Sequence, residues 1–536
     1  MVKSIHAKRS KYMGIGFCVL FILLSVRTYI VVNKYNPDRA SVSMVNYQVE
    51  NISQNNYMML DSKGKDLMTY SKKYVVVIDS KPFSLNNCDD NMQNLLAFNF
   101  IMKTQVDNFS YDEILKKAGK SYFVVNEDTY NKVKNMTNIK GIYAYTYDES
   151  DSKNSWSITD LLSKVNAKDK YEEGSLEATL QSYIKNNKSP QVKFSLDKSG
   201  VYKEEGYEVN KDNKNIQLTL DLDLNNRIKN ILNKSEYSSL KNAGVVIMDS
   251  ESGDIKALVQ KDESQPNLLI GAEGIGFEPA STFKLLVEQA ALEDKDVSLS
   301  DKFVCKGEIC QKDGKPYSHG TLSVRDALLV SCNDTFFQVA QKVGYDKLMK
   351  LAESEGLYSK ALGLTKEISG TKPKEEAGLS NIGIGQAMTV TPVQMAGAIN
   401  TIVNGGVYVK PSIVKSILDI NDKPVNNYTS TKTRIISKTI ADEIKENMRE
   451  VVKKGTGTNA FIPNVDIGGK TGSATGAKGT THGWFSGYFN IGKKYYTMVI
   501  FVPDINGKNE EGENLVGGNT GAPIFKDIVL DMMKNK

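Results

Sequence analysis

The strand signals of this chain fall into two groups that lie far apart. Ala243-Gly-Val-Val-Ile-Met-Asp-Ser250 and Asp254-Ile-Lys-Ala-Leu-Val-Gln260 flank a turn at Ser252-Gly253 and read as a hairpin. Strand character returns late, up to Tyr496-Thr-Met-Val-Ile-Phe-Val502, and a helical stretch over 522–533 closes the chain. Residues 281–460 between them read as helices and loops. A chain patterned this way must build a sheet from distant segments and carry a helical subdomain between them. Its class is mixed α/β, of the α+β kind.

At 536 residues the chain is too long for one hydrophobic core, so two or three domains are expected. Its 68 basic and 63 acidic residues give a net charge of only +5, a mixed solvated surface that points to no nucleic acid. Residues 13–26 carry no charge, and the stretch Tyr12 to Val32 has about the ~20-residue length that crosses a bilayer. Lys3, Lys8, Arg9 and Lys11 precede it, which keeps residues 1–11 cytoplasmic and places everything after Val32 outside the membrane. No small-x-small cleavage site follows, so 12–32 is expected to be an uncleaved anchor. Residues 33–212 carry a β-branched strand at Tyr74-Val-Val-Val-Ile78 and helical spacing over 111–118 and 158–165, with no titratable cluster. They read as a noncatalytic α+β domain, and 213–536 as a second domain.

Three short motifs lie in the second domain, in order: Ser281-Thr-Phe-Lys284, Ser331-Cys-Asn333 and Lys470-Thr-Gly472-Ser473. Singly they are weak; Ser-x-x-Lys recurs at Ser62 and Ser238, for example. Together they supply what acyl transfer needs. Pro279 suits a helix entrance, so Ser281 falls in or near a first turn, with Lys284 on the same face. An alcohol is a poor nucleophile without an adjacent base, and a lysine serves as base only when its pKa is lowered. Ser331 and Asn333 follow the amphipathic run 324–330 and suit a short loop that aims both side chains one way and Cys332 the other. Lys470 is a second cation, on a strand whose glycines at 468, 469 and 472 leave room for an extended peptide. Thr471 and Ser473 alternate along it.

This set resembles the penicillin-binding proteins and serine β-lactamases. It looks most like a class B penicillin-binding protein, a membrane-anchored D,D-transpeptidase of peptidoglycan synthesis. Order and spacing agree, with motif starts 50 and 139 residues apart (281 to 331, 331 to 470). So do Gly320-Thr-Leu-Ser-Val-Arg-Asp-Ala-Leu, Ile382-Gly-Ile-Gly-Gln386 with Thr391-Pro392, and Asn404-Gly-Gly406. Ser473 stands where threonine is commoner.

The resemblance implies an antiparallel sheet with a helical subdomain, plus an N-terminal pedestal and a single membrane-spanning helix. It implies that Ser281 attacks the carbonyl between two terminal D-alanines of a stem peptide while Lys284 takes its proton. Ser331, assisted by Lys470, relays a proton to the leaving amine, and Asn333 holds the substrate amide. Thr471, Gly472 and Ser473 bind the terminal carboxylate, and the amides of Ser281 and Ser473 form the oxyanion hole. β-Lactams acylate the same serine, no cofactor is needed for the chemistry, and a separate SEDS-type glycan polymerase is the expected partner. The rival outcomes are a D,D-carboxypeptidase or β-lactamase, and a non-enzymatic β-lactam sensor or scaffold.

The cysteines keep three readings open. Cys305 and Cys310 outside the membrane form a disulfide, or bind a structural zinc with Asp313 and His319, or stay free. Arg325 and the acidic stretch 367–376 read as solvated faces.

Overall fold

The computed structural model describes residues 14–29, 47–87, 91–117, 119–151, 155–312, 314–476, 479–509 and 512–535. Residues 14–29 are helical with exposed side chains. No helix among the described residues is long and apolar enough to cross a membrane. The span expected over 12–32 lies partly outside the described residues.

The chain forms two compact units. The smaller takes Ser71–Glu149 and Ser189–Asn210 together with the first 54 residues. Its central strand, Tyr70–Asp79, lies between Lys120–Val125 and Ile142–Ser150. Val76 and Ile78 join one core with Phe98, Phe109 and Val133, while Val75 and Val77 join a second with Tyr143, Val192 and Phe194. Burial on both faces explains why Tyr74–Ile78 within it is an unbroken apolar run instead of an alternating one.

The larger unit holds Lys211–Lys536 and also Asn55–Tyr70 and Ser150–Lys188. The chain passes from the smaller unit to the larger between Asn210 and Lys211, and two segments within the expected 33–212 stretch also belong to the larger unit. Met59–Leu60 pairs in parallel with Asn215–Leu218, and Ile158, Leu162, Leu180 and Ile184 are buried in one core with Ile216 and Leu218. These contacts are long-range, and no local pattern signals them.

The main sheet of this unit has five antiparallel strands: β1 (Gly244–Asp249), β2 (Ile255–Gln260), β3 (Ile467–Thr475), β4 (Thr481–Ile491) and β5 (Lys494–Ile505). Their order is β2-β1-β5-β4-β3, so the early hairpin pairs with the last strand and the Lys-Thr-Gly strand forms an edge. Both faces are buried. Val245, Ile247, Met498 and Ile500 pack with Ile228 of helix α1 (Leu222–Leu232) and with Phe525 and Ile528 of the C-terminal helix Gly521–Lys534. Val246, Met248, Val499 and Phe501 face the core that holds the helical subdomain. That subdomain includes α2 (Lys284–Glu293), α3 (Asn333–Val343), α4 (Pro392–Val403) and α5 (Lys438–Lys454).

Arg325 is exposed, as expected. Glu367 is not: it is buried, and its carboxylate accepts hydrogen bonds from the backbone N–H groups of Ala361, Leu362 and Leu364. A carboxylate held by several amides is stable inside a protein, which is why an acidic stretch need not be a surface.

Candidate active site

Ser281 lies in a tight helical turn, Ala280–Thr282, that runs directly into α2. Ala280 holds a left-handed φ of +50°, a strained conformation for an L residue. Its N–H donates to Gly385 O at 3.0 Å, which ties the Ile382–Gln386 stretch to the serine turn. At Gly385 φ is +76° and a Cβ would stand 2.1 Å from Ala280 O, so only glycine fits. Ser281 itself is half-buried, and Lys284, the first residue of α2, is fully buried.

Ser331 sits between the short helix Val324–Leu329 and α3, also in the left-handed region at φ +56°. This bend turns its side chain and that of Asn333 toward Lys284. The Lys284 ammonium donates to Ser331 O at 2.7 Å, to Asn333 Oδ1 at 2.7 Å and to Ser331 Oγ at 3.2 Å. From the other side Lys470 Nζ donates to Ser331 Oγ at 2.9 Å and to Thr471 O at 2.9 Å. One hydroxyl thus bridges two buried amines that are 186 positions apart in sequence (284 to 470).

Strand β3 brings Lys470 there. It pairs with β4, with Lys470 opposite Ser486 and Gly472 opposite Trp484. A Cβ at Gly472 would stand 3.0 Å from Thr282 Cγ2 and 3.1 Å from Pro279 O, so the strand runs tightly against the turn carrying Ser281. The other two glycines serve packing, not an open ligand face. A Cβ at Gly468 would meet the Tyr488 ring at 2.6 Å, and one at Gly469 the Phe485 ring at 2.6 Å. Thr471 Oγ1 is 2.8 Å from Thr456 Oγ1, and Ser473 Oγ accepts from Gly517 N–H at 3.2 Å.

The electrostatics follow from burial. Loss of hydration penalises the ammonium form of Lys284 and lowers its pKa to about 7, partly opposed by the neighbouring sulfurs of Cys332 and Cys310. Burial, then the like charge of Lys284, holds Lys470 well below the usual lysine range. One turn along α2, Glu288 is fully buried, and lost hydration pushes its carboxyl up to about 8 although it accepts from Asn447 Nδ2 at 2.7 Å. A half-neutral lysine beside a serine turn, a shared hydroxyl and a second amine can move a proton between an attacking alcohol and a leaving amine.

Lys284, Ser331, Asn333, Lys470 and Thr471 therefore form one hydrogen-bonded set, with Ser281 and Gly472 in contacting segments. Of the residues considered for a metal, Cys305, Cys310 and His319 are together, joined by Cys332; Asp313 lies outside the described residues. Cys305, Cys310 and Cys332 are free thiols, so the 305–310 disulfide is not formed. Cys332 points away from Lys284, as its place between Ser331 and Asn333 suggests, and meets Cys310 at 3.6 Å. Thr456 and Asp334 belong to no short motif. Thr456 follows Gly455 in a plain loop, and Asp334 gathers four backbone N–H groups from Gly307 to Cys310, a link no short motif encodes.

Residues 243–530 match the model of the penicillin binding protein transpeptidase domain. Stage V sporulation protein D of Bacillus subtilis is 27% identical over 398 residues, 67% of this chain and 60% of that protein. The peptidoglycan D,D-transpeptidase FtsI homolog of Mesostigma viride is 26% identical over 407 residues, 65% of this chain and 66% of that one. The chain thus spans less than two thirds of the length of either relative. Penicillin binding protein 2X from Streptococcus thermophilus has the same fold, with TM-score 0.67, 18% identity, and coverage of 91% of this chain and 80% of that one. Penicillin binding protein 3 from Mycobacterium tuberculosis, solved with aztreonam, gives TM-score 0.59 at 18% identity, covering 91% and 97%.

Proposed function

The chain belongs to the penicillin-binding protein transpeptidase family, and on that premise we propose that it is a serine-type peptidoglycan D,D-transpeptidase that also reacts covalently with β-lactams. The observation that carries this is the Ser331 hydroxyl held at 3.2 Å from Lys284 Nζ and 2.9 Å from Lys470 Nζ beside the Ser281 turn.

In the proposed reaction Ser281 Oγ attacks the carbonyl between two terminal D-alanines as its proton passes to neutral Lys284. The C–N bond then breaks, and the Ser331 hydroxyl gives its proton to the departing D-alanine amine. Lys470 and Lys284 resupply that proton. An amine of a neighbouring stem attacks the ester, the cross-link forms, and Ser281 regains its hydrogen. Burial matters because an ammonium in water would hold its proton at neutral pH. Asn333 holds the substrate amide, Thr471 and Ser473 take its terminal carboxylate, and the amides of Ser281 and Ser473 face the developing oxyanion. Protein groups alone carry this chemistry. A structural zinc on the cysteine–histidine loop ahead of Ser331 is part of the proposal, apart from the reaction.

Residues 12–32 act as the membrane anchor, so that the enzyme works outside the cell membrane with 33–212 mostly as its pedestal and a separate glycan polymerase as partner. One name among the relatives fits the proposed reaction: a peptidoglycan D,D-transpeptidase. Labelling of the full chain with fluorescent penicillin tests the assignment. Covalent signal is expected for the wild type and near background for Ser281→Ala and Lys284→Ala. Undiminished labelling of Ser281→Ala rejects it.

A further inference from the structure

The loop that leads into Ser331 carries a cluster the acyl transfer does not use. Cys305 Sγ, Cys310 Sγ, Cys332 Sγ and a ring nitrogen of His319 all lie within 4.8 Å of one another. Three separate devices assemble it. Antiparallel pairing of Lys302–Cys305 with Gly320–Ser323 sets Cys305 opposite Gly320, next to His319. The Asp334 carboxylate folds the intervening loop by accepting from Gly307 N at 2.7 Å, Glu308 N at 3.0 Å, Ile309 N at 2.7 Å and Cys310 N at 3.0 Å. Cys332 is the N-cap of α3, an unusual residue for a position that favours oxygen side chains.

The distances discriminate among the uses of such a cluster. Cys310 Sγ and Cys332 Sγ are 3.6 Å apart, and Cys305 Sγ is 3.4 Å from His319 Nδ1. Sulfurs joined in a disulfide stand about 2.05 Å apart. Two sulfurs each about 2.3 Å from one tetrahedral zinc stand about 3.8 Å apart, and a sulfur–nitrogen pair somewhat less.

The hydrogen bonds agree. Each sulfur accepts a backbone N–H: Cys310 from Asn333 at 3.1 Å and Asp334 at 3.4 Å, Cys332 from Thr335 at 3.4 Å, and Cys305 from His319 at 3.3 Å. A neutral thiol is a weak acceptor, whereas a thiolate on a metal gains from such outer donors. All three cysteines are buried, so an ion held by them would be shielded from water.

We infer that Cys305, Cys310, His319 and Cys332 form a closed Cys3His zinc site, with Cys332 as the fourth ligand. Because Cys332 lies between Ser331 and Asn333, and Cys310 Sγ takes the Asn333 N–H, the bound ion fixes the turn that presents both residues to Lys284. Zinc is a positioning element here and touches no reacting atom. This second half rests on the proposed roles of Ser331 and Asn333; the binding itself does not.

The test uses the full chain purified under reducing conditions without added chelator. Elemental analysis is expected to give one zinc per chain. Cobalt substitution is expected to give tetrahedral d–d bands and a sulfur charge-transfer band that loses about one third of its intensity in Cys332→Ser, as three thiolates become two. His319→Ala should lose the ion on mild chelation while His319→Cys, a four-sulfur site, keeps it; His319 is only half-buried, so these variants remain informative if Cys332→Ser does not fold. Chelation should slow penicillin labelling at least about tenfold, and zinc, not magnesium, should restore it. Absence of stoichiometric zinc and of a cobalt spectrum, or a Cys310–Cys332 disulfide by mass under these conditions, overturns the site. Tight zinc with an unchanged labelling rate overturns the positioning role. Labelling that persists in Ser281→Ala instead overturns the enzymatic assignment and leaves the zinc site standing.

Discussion

Ser331 and Lys470 meet through a 2.9 Å hydrogen bond inside the protein, and the same hydroxyl takes a second one from Lys284 at 3.2 Å. The three groups form a single proton path, so their loss should not add. Ser331→Ala and Lys470→Ala are each expected to slow acylation by penicillin about 10²–10⁴-fold, the usual worth of acid–base assistance. The double variant should fall little below the worse single one, since a relay broken once is broken. Second-order acylation rates of the four proteins check this. Fully multiplicative losses would show that the two residues act independently.

Lys284 makes the reaction pH-dependent. Its pKa is lowered to about 7 by burial, and only the neutral amine can take the Ser281 proton. The neutral fraction grows as pH rises, so the acylation rate should climb to a plateau with its midpoint near 7 and fall about tenfold per unit below it. Asn333 Oδ1 accepts from this ammonium at 2.7 Å and favours the charged form. Asn333→Ala should therefore shift the limb to lower pH as well as lowering the plateau. A profile from pH 5 to 9 reads both, and an unchanged midpoint in Asn333→Ala would count against Lys284 as the base.

Much of this site was legible beforehand because it is written in short local patterns. The Ser281 turn follows from Pro279 and the helix formers after it, and β5 from its β-branched run. What could not be read is what distant segments do to each other. Cys332 and Cys310 touch across 22 residues, Asp334 holds a loop that precedes it, and Glu367 is buried by amides folded around it. The entry of Asn55–Tyr70 and Ser150–Lys188 into the larger unit depends on one parallel strand pair and shared burial, neither of which has a sequence period. Gly468 and Gly469 were visible as glycines, but their reason, the rings of Tyr488 and Phe485, lies on another strand.

The tight passage of β3 over the Ser281 turn makes Gly472 a sensitive position. Gly472→Ala puts a methyl 3.0 Å from Thr282 Cγ2 and 3.1 Å from the Pro279 carbonyl, and the backbone oxygen has no rotamer to yield. The strand must shift, at a cost of about 1–3 kcal/mol. Displacement of Lys470 from Ser331 should cut acylation by about 10²-fold, as small misplacements of reacting groups do. Thermal melting and penicillin labelling together check it. Wild-type labelling in a destabilised Gly472→Ala would separate strand packing from chemistry.

Glu288 offers the last test, on stability. Its folded pKa of about 8 lies above the ordinary carboxyl value, because burial disfavours the anion and Oε2 has no partner. The folded state thus keeps a proton that the unfolded chain releases once pH passes its own carboxyl pKa. By linkage, stability is greatest below that unfolded value and drains as pH rises toward 8, at about 1.4 kcal/mol for each unit separating the two pKa values. Gln at 288 is uncharged at every pH and still accepts from Asn447 Nδ2. Glu288→Gln is therefore expected to match the wild type at low pH, to melt higher at pH 8, and to flatten the slope of melting temperature between pH 5 and 8. Calorimetric melting of both proteins across that range decides it: a slope unchanged by the substitution would mean that Glu288 keeps its charge inside the helix bundle and that another group sets the pH response.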